Sequence, residues 1–247
     1  MTDPFVIILI GATFLVAGIV KGVVGLGLPT VSLALLTATL GLQPAMALLL
    51  APSFVTNLWQ ALIGGHGRAI LARTWPFLLA ATVTIWVGAQ ALTRVDVALL
   101  SALLGMVLVV YAAAGLTGPQ LAVPRPWEVW AGPLVGTANG LLTGMTGSFV
   151  VPGVMYLQAI GLPRDMLVQA MGMLFAASTV GLAVALGGQQ LLTAELGALS
   201  VAAILPAVIG MALGQRLRRR VPEARFRKLL LAALAALGLF IIAKAAM

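Results

Sequence analysis

Apolar residues run almost unbroken from Phe5 to Val20, and this run is the first of about ten. Breaks at glycine, proline and charge place the apolar segments at about 5–23, 29–41, 44–63, 74–93, 96–116, 127–145, 148–160, 164–186, 190–215 and 224–246. No segment alternates with period two over its length, so strands and closed barrels are excluded and helices are expected. The second and seventh segments hold about 13 residues, roughly 20 Å of helix. Upright, they fall short of the ~30 Å hydrocarbon core and are expected to be half-helices or re-entrant pieces. The first break, KGVVGLGLPT at 21–30, sets a lysine, three glycines and a proline inside otherwise continuous apolar sequence.

Composition turns this pattern into a class. Of the 247 residues, 62% are hydrophobic and 8% charged, with mean hydropathy +1.13. A soluble domain carries about 25% charged residues, so the fold class is an all-α integral membrane protein. The first segment has Asp3 where a signal peptide is basic, and no small-residue cleavage site precedes a polar region, so it is expected to be a retained helix. There is no cysteine, which removes disulfides, thiolate metal sites and cysteine nucleophiles. The net charge of +8 does not point to nucleic acid. Seven of the 14 basic residues fall between Arg216 and Lys228, beside apolar segments, as in a cytoplasmic loop. Counting back places the loops with Arg68 and Arg73, with Arg125 and with Arg164 inside as well. The stretches TATLGLQP and GGQQLLTAE, free of lysine and arginine, fall outside, and both termini would be periplasmic.

The halves resemble one another. Gly18 to Met46 aligns with Gly136 to Met166: Gly18 with Gly136, Gly22 with Gly140, Gly25 with Gly144, Gly27 with Gly147 and Gly41 with Gly161. Gly88 and Gly210 fall in corresponding segments. This divides one membrane domain into a first repeat, 1–120, and a second, 121–247, each of five segments. An odd number requires the copies to insert with opposite orientation, and inverted repeats with interrupted helices point to a secondary transporter.

The glycine-rich signature, AGIVKGVVGLGLPT in one half and VGTANGLLTGMTGSFVVP in the other, resembles that of the TauE/SafE family, the sulfite-exporter-like group of bacterial anion permeases. The likeness covers nearly the whole chain, although the family's usual run of glycines is denser than G-L-G-L-P or G-M-T-G-S. The resemblance implies a multi-pass protein of the bacterial inner membrane that moves sulfite, sulfoacetate or related anions. Relatives that import thiosulfate with cysteines are a poor match, since this chain has none.

The residues supply chemistry suited to an anion. Helix N-termini offer free N–H groups and partial positive charge. Gly25 and Gly27 permit close backbone approach, Pro29 suits the first helical position with Thr30 after it, and Ser148, preceded by Thr146 and Gly147, is an expected N-cap. Two such ends would face one anion near the midplane of the repeats. Lys21 is either a ligand there or a side chain that snorkels to the cytoplasmic face. Asn139 stands in its place in the second repeat. Gly22, Asn57, Gln60, Thr143, Gly144 and Ser178 complete the candidate substrate-binding set, with interhelical hydrogen bonding as the bland alternative for the polar ones. The five tryptophans read as interface anchors, and His66 as a lone loop residue. No metal or cofactor site is expected, and no nucleotide motif or acid–base constellation marks an enzyme. All six carboxylates map to termini, loops or segment edges, which favours a facilitator, an exchanger or coupling through the anion's own proton over a proton pump. The expected function is secondary transport, in the export direction, of small sulfur-containing or organic anions by alternating access. The alternatives are a channel-like facilitator or a non-transporting scaffold. The expected partners are the anion, the bilayer and no nucleic acid, with a homo-oligomer left open.

Overall fold

Helices form wherever the apolar runs lie, because hydrocarbon leaves backbone N–H and C=O groups no partner but each other. The computed structural model describes residues 3–118, 122–218 and 222–247. Among them are thirteen α-helices, one 3-10 turn and no strand. The first half holds α1 (Pro4–Val24), α2 (Leu28–Leu40), α3 (Leu42–Leu48), α4 (Leu50–Leu62), α5 (Gly67–Ala89), α6 (Ala91–Arg94) and α7 (Val97–Thr117). The second holds α8 (Glu128–Thr146), α9 (Gly153–Ala159), α10 (Arg164–Gly188), α11 (Ala194–Ala202), α12 (Ile204–Leu217) and α13 (Glu223–Ala245), with the 3-10 turn at Arg125–Trp127.

Six stretches of helix are long and apolar enough to cross a membrane: Pro4–Val24, Gly67–Arg94, Val97–Thr117, Arg164–Gly188, Ala194–Leu217 and Ala224–Ala245. A seventh is added if α3 and α4, bent by 45°, act as one span. Each of the ten apolar segments contains helix, but α2 has 13 residues and α9 only seven. In the seventh segment, 148–160, helix is therefore confined to its second half. Val151 precedes Pro152, which disfavours the α region there, so helix begins only at Gly153. TATLGLQP is not a loop either. Gly41, at φ 95°, is the single residue between α2 and α3.

The chain divides into two compact units, each drawing on both halves of the sequence. The first comprises Met1–Pro52, Asp96–Gly118 and Leu191–Met247. Here α1 packs on α12 and α7 on α13, with α2 against α1 and α13. The contacts are backbone-close because glycines form them. Gly18 and Gly22 lie against the carbonyls of Ala207 and Met211, Gly210 and Gly214 against those of Leu15 and Ile19, and Gly105 and Gly238 against each other's. Small residues spaced four apart let membrane helices approach to this distance.

A proline sets the bend between α3 and α4. Pro52 has no N–H, so the carbonyl four residues earlier, Leu48, loses its helical donor. The Ser200 hydroxyl of α11 donates to that carbonyl at 2.8 Å and accepts the Ala51 N–H at 2.9 Å.

The second unit, Ser53–Val95 and Pro119–Gln190, is built on α5 packed against α8, with α10 on α5 and α9 between α8 and α10. Gly136, Gly140 and Gly144 of α8 lie against the carbonyls of Phe77, Ala81 and Ile85, and Gly88 of α5 against that of Leu141. α5 starts seven residues earlier than the apolar segment, taking in Arg68 and Arg73. After Gly67 at the first position, RAILAR is mostly good helix formers and needs no hydrocarbon to be helical. Arg73 therefore sits on a helix and not in a loop.

Glycine at these contacts is a steric requirement, and one helix allows a controlled comparison. A Cβ at Gly18 meets the Ala207 backbone, whereas one at Gly11 meets nothing within 4 Å. Gly18→Ala should destabilise the protein by about 1–3 kcal/mol. Gly11→Ala should be neutral or stabilise by up to about 1 kcal/mol. Thermal unfolding of the two purified variants decides it, and equal melting temperatures would contradict the α1–α12 contact.

Candidate functional site

Each unit contains one of the glycine-rich breaks, and the two are built differently. In the first unit α1 ends on Gly25, whose φ of 85° is open to glycine at little cost and whose N–H closes on the Lys21 carbonyl at 2.8 Å. Two residues later Gly27, at φ 109°, caps α2 and its carbonyl accepts the Val31 N–H at 2.8 Å. Pro29 is the second helical residue, still within the first turn where its missing N–H costs nothing. Gly22, Gly27, Pro29 and Thr30 are buried. At the other end of α2, the Lys244 ammonium donates to the Ala38 carbonyl at 2.9 Å, a cation at a helix C-terminus.

Lys21 occupies the last turn of α1 and is only 5% exposed. Its side chain therefore does not run out to the surface, and snorkelling is set aside. Its position in the last turn puts the charge beside the negative end of the α1 dipole.

The second break is longer. α8 ends on Gly147, at φ 75°, its N–H on the Thr143 carbonyl at 2.7 Å. Gly147 thus does the work of Gly25. Gly144, aligned with Gly25 by sequence, is instead helical and packs on α5. The five residues that follow are non-helical, and the first four of them, Ser148 to Val151, are buried. Irregular backbone at such depth needs partners, and three of the predicted site residues supply them. The Thr143 hydroxyl donates to the Ser148 carbonyl at 2.8 Å. The Thr146 hydroxyl, bonded to the Leu142 carbonyl at 2.6 Å, accepts the Ser148 N–H at 3.2 Å. Asn139 Oδ1 accepts the Gly153 N–H at 2.9 Å. Ser148 is consequently no N-cap; Pro152 takes that place before α9.

The remaining polar candidates divide. Gln60 donates to the Val168 carbonyl at 2.7 Å, tying α4 to α10. Asn57 is fully buried. Ser148 Oγ, Ser178 Oγ and Asn139 Nδ2, all in the second unit, are buried without a hydrogen-bond partner. The five tryptophans are all exposed, Trp59 included, as interface anchors are.

Two further interactions tie distant parts of the second unit together. Gln169 of α10, 2% exposed, donates to the Ala61 carbonyl at 2.8 Å and accepts the His66 N–H at 3.0 Å, holding the α4–α5 turn. Arg73 binds Glu128 through both Nε, at 2.9 Å, and Nη2, at 2.6 Å. Nη2 also donates to the Ile160 carbonyl at 2.7 Å, so α5, α8 and the end of α9 are joined. The partners are 55 and 87 residues apart, and no local pattern relates them. Gln169 stands out in sequence as the one amide in the apolar run of α10, where interhelical hydrogen bonding is the favoured reading.

The family model for the sulfite exporter TauE/SafE matches residues 10–241. The chain belongs to the TauE/SafE family. This family member is accordingly a multi-pass membrane protein of the sulfite-exporter type. Among curated proteins and among solved structures no match was found.

The Gln169 clamp in this family member is testable. Gln169→Leu keeps most of the volume but leaves the Ala61 carbonyl and His66 N–H without their partner, at a cost of about 1–3 kcal/mol. Amide exchange at 62–66 should quicken more than elsewhere, read by hydrogen–deuterium exchange mass spectrometry.

Proposed function

We propose that the chain is a secondary transporter, working in the export direction, of small sulfur-containing or organic anions such as sulfite or sulfoacetate. It sits in the bacterial inner membrane with the Arg216–Lys228 segment on the cytoplasmic side, as the positive-inside rule favours. Residues 219–221 of that segment lie outside the described residues. The observation that carries the proposal is the pair of glycine-rich helix breaks, each followed by a short buried helix and flanked by buried polar side chains, in a chain of this family.

The packing supports the repeat that alternating access requires. Gly18 and Gly22 meet Ala207 and Met211, while Gly136 and Gly140 meet Phe77 and Ala81. In each case the first helix of one half packs on a later helix of the other. The register agrees too: 130 residues separate Phe77 from Ala207 and Ala81 from Met211. In that register Thr84 answers to Gly214 and Thr137 to Ile19. Thr84 Oγ1 reaches the Thr137 carbonyl at 3.2 Å, where Gly214 lies against the Ile19 carbonyl. Gly88 and Gly210 are then not equivalents; Gly210 answers to Ala80. On this basis ten segments form two five-segment repeats of opposite orientation, and the boundary near 120 lies outside the described residues.

Within this proposal Lys21 supplies positive charge at the first break. Asn139, Ser148 and Ser178 supply donors at the second. Thr143, Thr146 and the glycines shape the backbone around them. Lys21→Ala should lower sulfite flux in proteoliposomes by roughly tenfold, the equivalent of one lost charge-assisted contact of about 1.4 kcal/mol. Wild-type flux in a variant that stays folded would remove Lys21 from the path.

A further inference from the structure

We propose that the anion binds carrying at most one negative charge, so that hydrogen sulfite, and not the sulfite dianion, is the species carried. This rests on the transport reading and narrows its substrate; sulfoacetate, with two charges, falls on the disfavoured side. Three orphaned atoms begin the argument: Asn139 Nδ2, Ser148 Oγ and Ser178 Oγ, all in the second unit and all buried. The Asn139 orientation follows from its Oδ1 accepting the Gly153 N–H, which leaves the amide nitrogen as the unmatched group.

The three share one neighbourhood. A Cβ on Gly153 would touch both Asn139 and Leu174 of α10, and Ser178 is one turn beyond Leu174. Thr143, one turn beyond Asn139, holds the Ser148 carbonyl at 2.8 Å. Phe149, next to Ser148, lies with its ring centroid 6.1 Å from that of Phe175, three residues before Ser178. Buried polar groups without partners are scarce because each forfeits its hydration. Three potential donors left open together point to a guest rich in acceptors.

Every one of these donors is neutral. They can replace the water around an oxyanion but cannot balance its charge. Among the described residues, Lys21 is the one buried charged side chain. Arg73, only partly buried, is already matched by Glu128. The described residues thus offer at most a single buried positive charge, wherever the anion rests along its path. A monoanion can be balanced by it, whereas a dianion retains an uncompensated charge in a low-dielectric interior, where that is severely unfavourable.

Methanesulfonate and sulfate make a matched pair of probes. Both are tetrahedral, and they differ by a methyl group in place of one charged oxygen. In proteoliposomes carrying the full chain, labelled sulfite uptake is measured at one mildly acidic pH, where hydrogen sulfite predominates. Methanesulfonate should compete at least about tenfold better than sulfate. Methanesulfonate competing no better than sulfate overturns the charge limit and leaves transport standing. Absence of any sulfite uptake sinks the transport reading, and this proposal with it. Ser148→Ala and Ser178→Ala test the donors separately: methanesulfonate competition should weaken about tenfold, while the melting temperature of the ligand-free protein stays or rises, since each removes a buried unpaired hydroxyl. Unchanged competition in both variants overturns the assignment of the donors.

Discussion

At its two glycine-rich breaks the chain leaves helix in largely buried surroundings, so each N–H and C=O there must be met by another part of the protein. The rest of the structure follows from how that demand is satisfied. At the first break the demand is kept small. Gly25 and Gly27 turn the backbone within three residues, and the flanking N–H and C=O groups close on Lys21 and Val31. At the second break α8 runs on and the chain stays non-helical through Pro152, so side chains from α8 must intervene: Thr143, Thr146 and Asn139. At Pro52 the missing donor is replaced by Ser200. Several polar residues of this protein thus serve its own backbone first, and the unmatched ones, Asn139 Nδ2, Ser148 Oγ and Ser178 Oγ, are those proposed to meet the anion.

The glycine contacts serve a second purpose. Backbone-to-backbone packing of α1 on α12 and of α5 on α8 leaves no side chains to repack at the contact, so each pair resists sliding and is suited to move as one piece. Arg73 extends this in the second unit by binding Glu128 and the last turn of α9, and Gln169 does the same for the α4–α5 turn.

Much of the candidate site was visible as residue types and little as roles. Asn139, Thr143, Thr146 and Ser148 stood out as polar residues in apolar sequence, yet all but one were found holding backbone, and Ser148 was found with its hydroxyl unmatched. Asn139 does both, because its amide has two ends. Gly25 and Gly144 align by sequence but differ in conformation, since α8 runs on past Gly144 to Gly147 before it ends, whereas α1 ends on Gly25. A hydrophobic pattern records where a residue is relative to lipid, not which carbonyl lies across from it.

The membrane class, the helices, the two breaks and the family resemblance were determined by sequence alone. Hydropathy, glycine and proline act locally, and hydrocarbon permits few ways of answering them. Which glycine turns the chain and which one packs, that Lys21 is enclosed, and that Arg73 meets Glu128 were decided by tertiary structure. The partners are brought near by folding from far along the chain: Arg73 and Glu128 are 55 residues apart, and Gly214 and Ile19 are 195 apart. Nothing along the chain marks the distance at which a helix will find its neighbour.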